Sequence, residues 1–258
     1  MIVIMVLTTD WVRLLIVCVF FTAAACAIAW FTGLTSPKPF LKAAVRAVVQ
    51  LAAVSAVITF VLTHLGLTWA FLVVMAAVAT ATSARRTGTG RKGVWVALAI
   101  LAGAVPALGL LLATGLLPVE GIALIPVGGI LIGGAMTATT LSSRRALDTL
   151  SERYGEYEAA RATGFGERDA VRLIIRGSAA EALLPPLDQT RTVGLVTLPG
   201  AFVGMLLGGA PVWQAGALQI VVLLALLAVE SAAVATVVEL VARGLIRRAS
   251  QESEVRLT

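Results

Sequence analysis

Charge is scarce in this sequence. Charged residues make up 13% of its 258 positions, against roughly a quarter in an ordinary soluble domain, and a water-soluble core does not account for so few. Cysteine is nearly absent too. Cys18 and Cys26 both fall in the first apolar run, without the paired loop spacing of a disulfide framework or a zinc site, so they read as small lipid- or helix-facing residues. The single histidine, His64, lies at the outer edge of the second apolar run, an interfacial position. No Cys/His cluster offers a soft metal site. An ATP-binding loop is missing as well: Thr87-Gly88-Thr89-Gly90-Arg91-Lys92-Gly93 lacks the Gly-Lys-Ser/Thr order between strand and helix that a phosphate cradle needs. It reads as a tight inside turn anchored to lipid headgroups. The net charge of +6 sits in short clusters without a recognition motif, which argues against nucleic acid.

What the chain has in abundance is apolar length. Hydrophobic residues reach 59% and mean hydropathy is +0.97, in runs long enough to cross about 30 Å of hydrocarbon as helix. The pattern predicts an all-α, polytopic membrane helix bundle of about seven spans, near 11–31, 43–63, 67–84, 93–114, 121–141, 192–209 and 214–242. Lys38, Lys42 and Arg46 follow the first span, Arg85, Arg86, Arg91 and Lys92 the third, and Arg243, Arg247 and Arg248 the last. The alternate connections, at His64-Leu65-Gly66, 114–120 and 209–212, carry no Lys or Arg. Positive residues stay cytoplasmic in short loops, so the N-terminus is expected outside and the C-terminus inside, with Arg13 the one exception. Ala23-Ala24-Ala25-Cys26 resembles a cleavage site, but no basic n-region precedes it, and 11–31 is read as a true first span.

One transmembrane domain is expected over 1–258, with a single long polar segment, 142–190, inside it on the cytoplasmic side. Leu147, Leu150, Tyr154 and Tyr157, then Ala170, Leu173, Ile174 and Gly177, recur at helical steps and predict two amphipathic helices. Gly164 and Gly166 break the pattern between them. Within this segment, Glu158-Ala159-Ala160, Gly164 and Ile174 resemble the EAA loop of ABC-transporter membrane subunits, a short helix, a glycine turn and a second helix that dock on the ATPase. The small alanines permit close approach, the glycine a turn, and the carboxylate a basic or helix-N-terminal partner. The Leu-Pro ending of that loop is displaced: Arg176-Gly177 stands there, and Leu184-Pro185-Pro186 comes later. Glu-Ala-Ala is also an ordinary helical sequence.

The second half read whole is more specific. Ile125-Pro126-Val127-Gly128-Gly129, Gly133-Gly134-Ala135-Met136, Ile175-Arg176-Gly177-Ser178, Ala182-Leu183-Leu184-Pro185 and the run from Asp188-Gln189-Thr190-Arg191 to Leu198-Pro199-Gly200 resemble the FetB-type permeases, as does Arg46-Ala47-Val48-Val49-Gln50-Leu51 in the first half. The likeness covers roughly residues 40–220. It implies a bacterial inner-membrane permease that exports iron, acts as two copies with a separate cytoplasmic ABC ATPase subunit, and leaves ATP, Mg and hydrolysis to that partner, so that the chain itself is no enzyme and carries no cofactor. Plant relatives of the family are linked to aluminium tolerance and, in one proposal, to nucleotide-sugar export. An importer permease, an exporter of an organic solute such as a nucleotide sugar, and a non-transporting scaffold stay open. The chain also departs from the family: Gly134 stands where one member has Asn, and Glu230 where a small hydroxyl residue stands.

Polar and special residues within the spans supply the remaining candidates. Gly129 and Gly133, and Gly200, Gly204 and Gly208, are spaced for close helix packing or for surfaces that slide. Pro106, Pro126 and Pro199 interrupt spans, and Pro199-Gly200 marks either a broken helix lining a pathway or a plain kink. Glu230 lies near the middle of the last span, where a charged carboxylate costs around 2.5–3.5 kcal/mol. It is a candidate ligand for a hard cation, with a second copy's carboxylate converging on it, or else a protonated or paired residue. Glu239 is expected to snorkel or pair with Arg243. Arg46 anchors at the interface, and Gln50, one turn deeper, cross-links helices or meets substrate. Met136 and Met205 offer thioethers or simply fill space. The pathway is thus expected near Gln50, Met136, Pro199, Met205 and Glu230, the docking element over Glu158, Ala159, Ala160 and Gly164, and Asp188 and Arg191 at the start of the sixth span.

Overall fold

The computed structural model describes residues 11–89 and 93–248; Arg91 and Lys92, assigned above to an inside turn, lie outside them. The described residues are almost entirely helical. They form α1 (Trp11–Phe31), α2 (Lys38–Thr63), α3 (Leu65–Thr87), α4 (Val94–Ala113), α5 (Gly121–Glu152), α6 (Tyr154–Ala162), α7 (Glu167–Ala180), a 3-10 turn (Glu181–Leu183), α8 (Leu184–Thr192), α9 (Gly200–Leu207) and α10 (Val212–Ala242). Helix is what a chain of this composition must form in lipid, because no water is present to take up backbone N–H and C=O groups. Six of these helices, α1 to α5 and α10, are long and apolar enough to cross a membrane. The protein is a multi-pass helical membrane protein.

The chain divides after Val61 into two compact units. In the first, α1 and most of α2 carry large apolar side chains on their exposed faces, among them Phe20, Phe21, Val48 and Leu51. Such exposure costs nothing against lipid tails.

In the second unit the helices pack through small residues. A Cβ built on Gly121 would stand 2.8 Å from Thr68 Oγ1, one on Gly128 2.6 Å from Leu72 Cδ2, and Thr140 donates to Ser83 at 2.8 Å. These three levels show α3 and α5 running side by side in the same direction. α10 runs that way too, since Leu226 and Glu230 face Gly134, and Arg248 just beyond the helix pairs with Asp148 near the end of α5. Arg85 and Arg86, Arg144 and Arg145, and Arg243 therefore gather at one end of this unit.

That parallel arrangement forces a return. α5 finishes at the basic end and α10 begins at the other, so the chain between them has to cross back. Here the structure departs from the sequence expectation of one continuous span over 192–209. The return is made by α8 and α9, nine and eight residues long, and neither reaches even half of the roughly 30 Å needed at 1.5 Å per residue. Between them, Val193 turns extended, Gly194 takes φ +82° and donates to the carbonyl of Thr197 at 2.9 Å, and Pro199 leaves the chain extended just before Gly200. Proline can precede a first helical turn but cannot continue one, because it lacks the N–H. Pro199 is thus the cap of a new half-helix rather than a kink inside an old one.

A second difference lies in α5, expected to end near 141 and in fact continuing to Glu152. Ser142, Ser143, Ala146 and Leu147 are buried there, so the polar sequence marks where the helix leaves lipid, not where it ends. Its 32 residues span about 48 Å. The first amphipathic segment is accordingly shared between the tail of α5 and α6, with the change at Arg153. α7 buries Ala170, Val171, Ile174, Ile175 and Ala179 against α5 and α10, leaving Leu173 and Gly177 exposed.

Candidate functional site

A cleft of about 270 Å³ opens between α5, the 3-10 turn with α8, and α10. Gly133, Gly134, Thr137 and Ala138 line it from α5, Pro185, Pro186 and Gln189 from α8, and Leu226 and Glu230 from α10, with Ile130, Leu141 and Ala182 closing the wall. The small residues on α5 create the room. A Cβ on Gly134 would collide with the end of Leu226 and lie 2.8 Å from Glu230 Oε1, whereas nothing lies within 4 Å of one on Gly133. Gly134 and Glu230 are therefore neighbours in space.

Glu230 is 7% exposed, and its Oε2 has no hydrogen-bond partner. Thr139 Oγ1, Ser143 Oγ and Gln219 Oε1 share that condition, but of these groups Glu230 alone borders the cleft. Among the described residues no Lys, Arg or His lines it. Thr137 donates its hydroxyl proton to the carbonyl of Gly133 at 3.0 Å, which leaves the oxygen's lone pairs available toward the cleft. One turn along the neighbouring contact, Gly103 of α4 lies so close to Val229 that an added Cβ would meet its backbone oxygen and stand 2.9 Å from its Cα. The backbone around Glu230 is held from both sides.

At the basic end, α6 and α7 form a helical hairpin. Gly164 closes it at φ +96°, a conformation that costs residues with a Cβ about 1–2 kcal/mol. Arg161 donates to the carbonyl of Phe165 at 2.9 Å across the turn. Arg153 grips Glu156 at the start of α6, and that hydrogen bond holds the Glu156 carboxyl below its ordinary value. α6 buries no residue at all. Glu158 and Ala159 are exposed, Ala160 is half-buried, and Tyr154 and Phe165 are 55% and 46% exposed. α7, by contrast, is tied down: Arg168 meets Glu239 at 2.7 Å, Arg243 pairs with the same carboxylate, and Arg145 of α5 meets Glu181 in the 3-10 turn at 3.5 Å. Glu239 thus pairs with Arg243 as expected and also with Arg168, whose guanidinium that hydrogen bond raises above its ordinary value.

The other sequence candidates scatter. Arg46 and Gln50 are exposed on α2, in the first unit. Met136 is half-buried and packed on the core, and Met205 is half-buried on α9. Gly129 packs on Met75 Cε, 2.9 Å from its built Cβ, while Gly200 and Gly204 have open space. Asp188 and Arg191 pair with one another at 3.4 Å on α8, in the first half of the broken return. Of the pathway residues in the second unit, Met136, Pro199, Met205 and Glu230, only Glu230 lines the cleft. Sequence reasoning missed Thr137 and Gln189, although a lone polar residue at membrane depth is itself a signal.

Comparison with known proteins places these features in context. Residues 11–246 match the profile described as "Uncharacterised protein family (UPF0014)". The rice "UPF0014 membrane protein STAR2" is 34% identical over 204 residues, 78% of this chain and 72% of that protein. "Protein ALUMINUM SENSITIVE 3" of Arabidopsis thaliana is 34% identical over 181 residues, 69% of this chain and 66% of that one. The Escherichia coli "Probable iron export permease protein FetB" is 31% identical over 134 residues, 52% of each chain. No solved structure matches.

Proposed function

The chain belongs to the UPF0014 family of membrane proteins, and on that premise we propose that it is the membrane-spanning permease subunit of an ABC transporter that exports iron. ATP and Mg are held by a separate cytoplasmic ATPase, and the permease works as two copies in a bacterial plasma membrane. The resemblance to FetB supports the cargo and direction.

The observation that carries the ATPase assignment is the contrast between α6 and α7. α6 and the turn after it present an exposed surface with Tyr154, Glu158 and Phe165, while α7 is packed on α5 and α10 and leads through the 3-10 turn into α8, a wall of the Glu230 cleft. Force applied to α6 by a closing ATPase dimer travels through packed helices to the half-helices of the return. Hydrolysis stays with the partner, and this chain transmits the movement.

The test is co-purification with the cognate ATPase, followed by ATP-dependent iron flux in oriented vesicles. Glu158→Lys and Gly164→Val should each reduce ATPase recovery and uncouple hydrolysis from flux. Full transport by both variants refutes the docking assignment. Robust flux of an organic solute without iron movement overturns the cargo.

A further inference from the structure

We propose that the cleft between α5, α8 and α10 binds a hydrated divalent cation, with Glu230 supplying the charge and Thr137 and Gln189 supplying neutral oxygens from the facing helices. As a station on the transport path it rests on the permease reading; as a binding site it stands on its own geometry.

Four observations carry it. Glu230 is buried within a membrane-spanning helix, its Oε2 is unpartnered, and among the described residues no basic side chain lines the cleft that it borders. A carboxylate ionised in that setting needs a positive partner, and none of the described lining residues supplies one. The available donors are oxygens, the ligand type of hard cations, with no thiol or imidazole among the lining residues. Among the described residues no group of three or more His, Cys, Asp or Glu gathers anywhere, so a bare ion would find too few ligands here. The volume resolves that shortage. At about 30 Å³ per water in the liquid, the 270 Å³ of the cleft accommodate an ion with its own first shell of water. Carboxylate, amide and hydroxyl oxygens then accept hydrogen bonds from that shell. An organic ammonium fits less well, because no aromatic ring stands among the described lining residues to face it.

Gly134 belongs to the same device. By omitting a side chain beside Glu230 Oε1 it keeps the approach to the carboxylate open.

The experiment uses the full chain in lipid nanodiscs, without ATPase or nucleotide, and Mn²⁺ as the probe. Free Mn²⁺ is followed by electron paramagnetic resonance and bound water by proton relaxation. One Mn²⁺ per chain is expected, with exchangeable water still on the ion. Glu230→Gln should weaken binding by about tenfold or more, since it removes the one charge among the described lining residues. Glu230→Asp should recover part of the loss, Thr137→Val and Gln189→Leu should each weaken binding, and Glu152→Gln, a surface control, should not. Wild-type affinity in Glu230→Gln, an ion stripped of water, or binding of methylammonium in place of Mn²⁺ overturns the proposal. Should Glu230→Gln fail to assemble, wild-type affinity in both Thr137→Val and Gln189→Leu overturns it equally. Failure to pair with an ATPase would remove the permease reading and leave the site. Intact ATP-driven flux without Mn²⁺ binding would remove the site alone.

Discussion

A side chain at position 134 and the carboxylate of Glu230 compete for one space: a Cβ on Gly134 would stand 2.8 Å from Glu230 Oε1. Gly134→Ala should therefore destabilise the protein by about 1–3 kcal/mol, the usual cost of overpacking. Gly133→Ala, whose Cβ meets nothing within 4 Å, should be close to neutral. Thermal unfolding in nanodiscs distinguishes them. Combining Gly134→Ala with Glu230→Ala should cost less than the two changes added, and strict additivity would sink the pairing.

Of the glycines described in this unit, Gly103 leaves a Cβ the least room against the backbone of another helix, at Val229. A backbone cannot swing aside as a side-chain end can. Gly103→Ala should cost about 3 kcal/mol or more and lower the yield of folded protein. Gly109→Ala, on the same helix with open space, should fold as well as wild type. Equal melting temperatures for both would show that α4 and α10 do not meet as described.

The broken return makes a topological prediction. Single cysteines, in a background with Cys18 and Cys26 replaced, should be labelled by a membrane-impermeant maleimide from opposite sides at Thr163 and Ala210. Under the positive-inside rule Thr163 is reached from the cytoplasm and Ala210 from outside. Labelling of both from one side would mean that α8 and α9 do not cross.

Gly164 closes the α6–α7 hairpin in a left-handed conformation. Gly164→Ala should cost about 1–2 kcal/mol locally, speeding amide exchange in α6 and lowering ATPase recovery, while Gly155→Ala in the same hairpin leaves both unchanged. Unaltered exchange in Gly164→Ala would show that the turn is not strained by a Cβ.

Arg168 and Arg243 share the Glu239 carboxylate. Glu239→Gln should release the start of α7 and raise amide exchange there more than in α5. Each pair is partly exposed and screened by salt, so the effect should shrink at high ionic strength. Salt-independent exchange would place the hold on α7 in its apolar face alone.

Much of this architecture is legible from composition. Apolar length announces the spans, Lys and Arg announce the ends at which they collect, and Gly164 between two helical patterns announces the hairpin. The cleft was not legible. Thr137, Gln189 and Glu230 are separated by tens of residues, and nothing in a one-dimensional pattern says that they share a space. The return was misread for a related reason. Residues 192–209 are apolar enough for a span, and hydropathy is blind to backbone geometry, so Pro199-Gly200 allows a broken helix or a kink equally, and only the extended backbone at Val193 and Pro199 shows the gap between two half-helices.

By itself the sequence determined the solvent: with so few charges and such long apolar runs, lipid is where this chain must fold, as helix, with its basic residues at the membrane surface. Only the tertiary structure decided which glycine makes room and which merely sits in open space. The physical reason is that transfer to lipid depends on each residue's own chemistry, whereas the space beside a carboxylate depends on what the neighbouring helix omits. Glu230 is expensive by its residue type and place in a span alone; Gly134, across from it, is what leaves room beside its carboxylate.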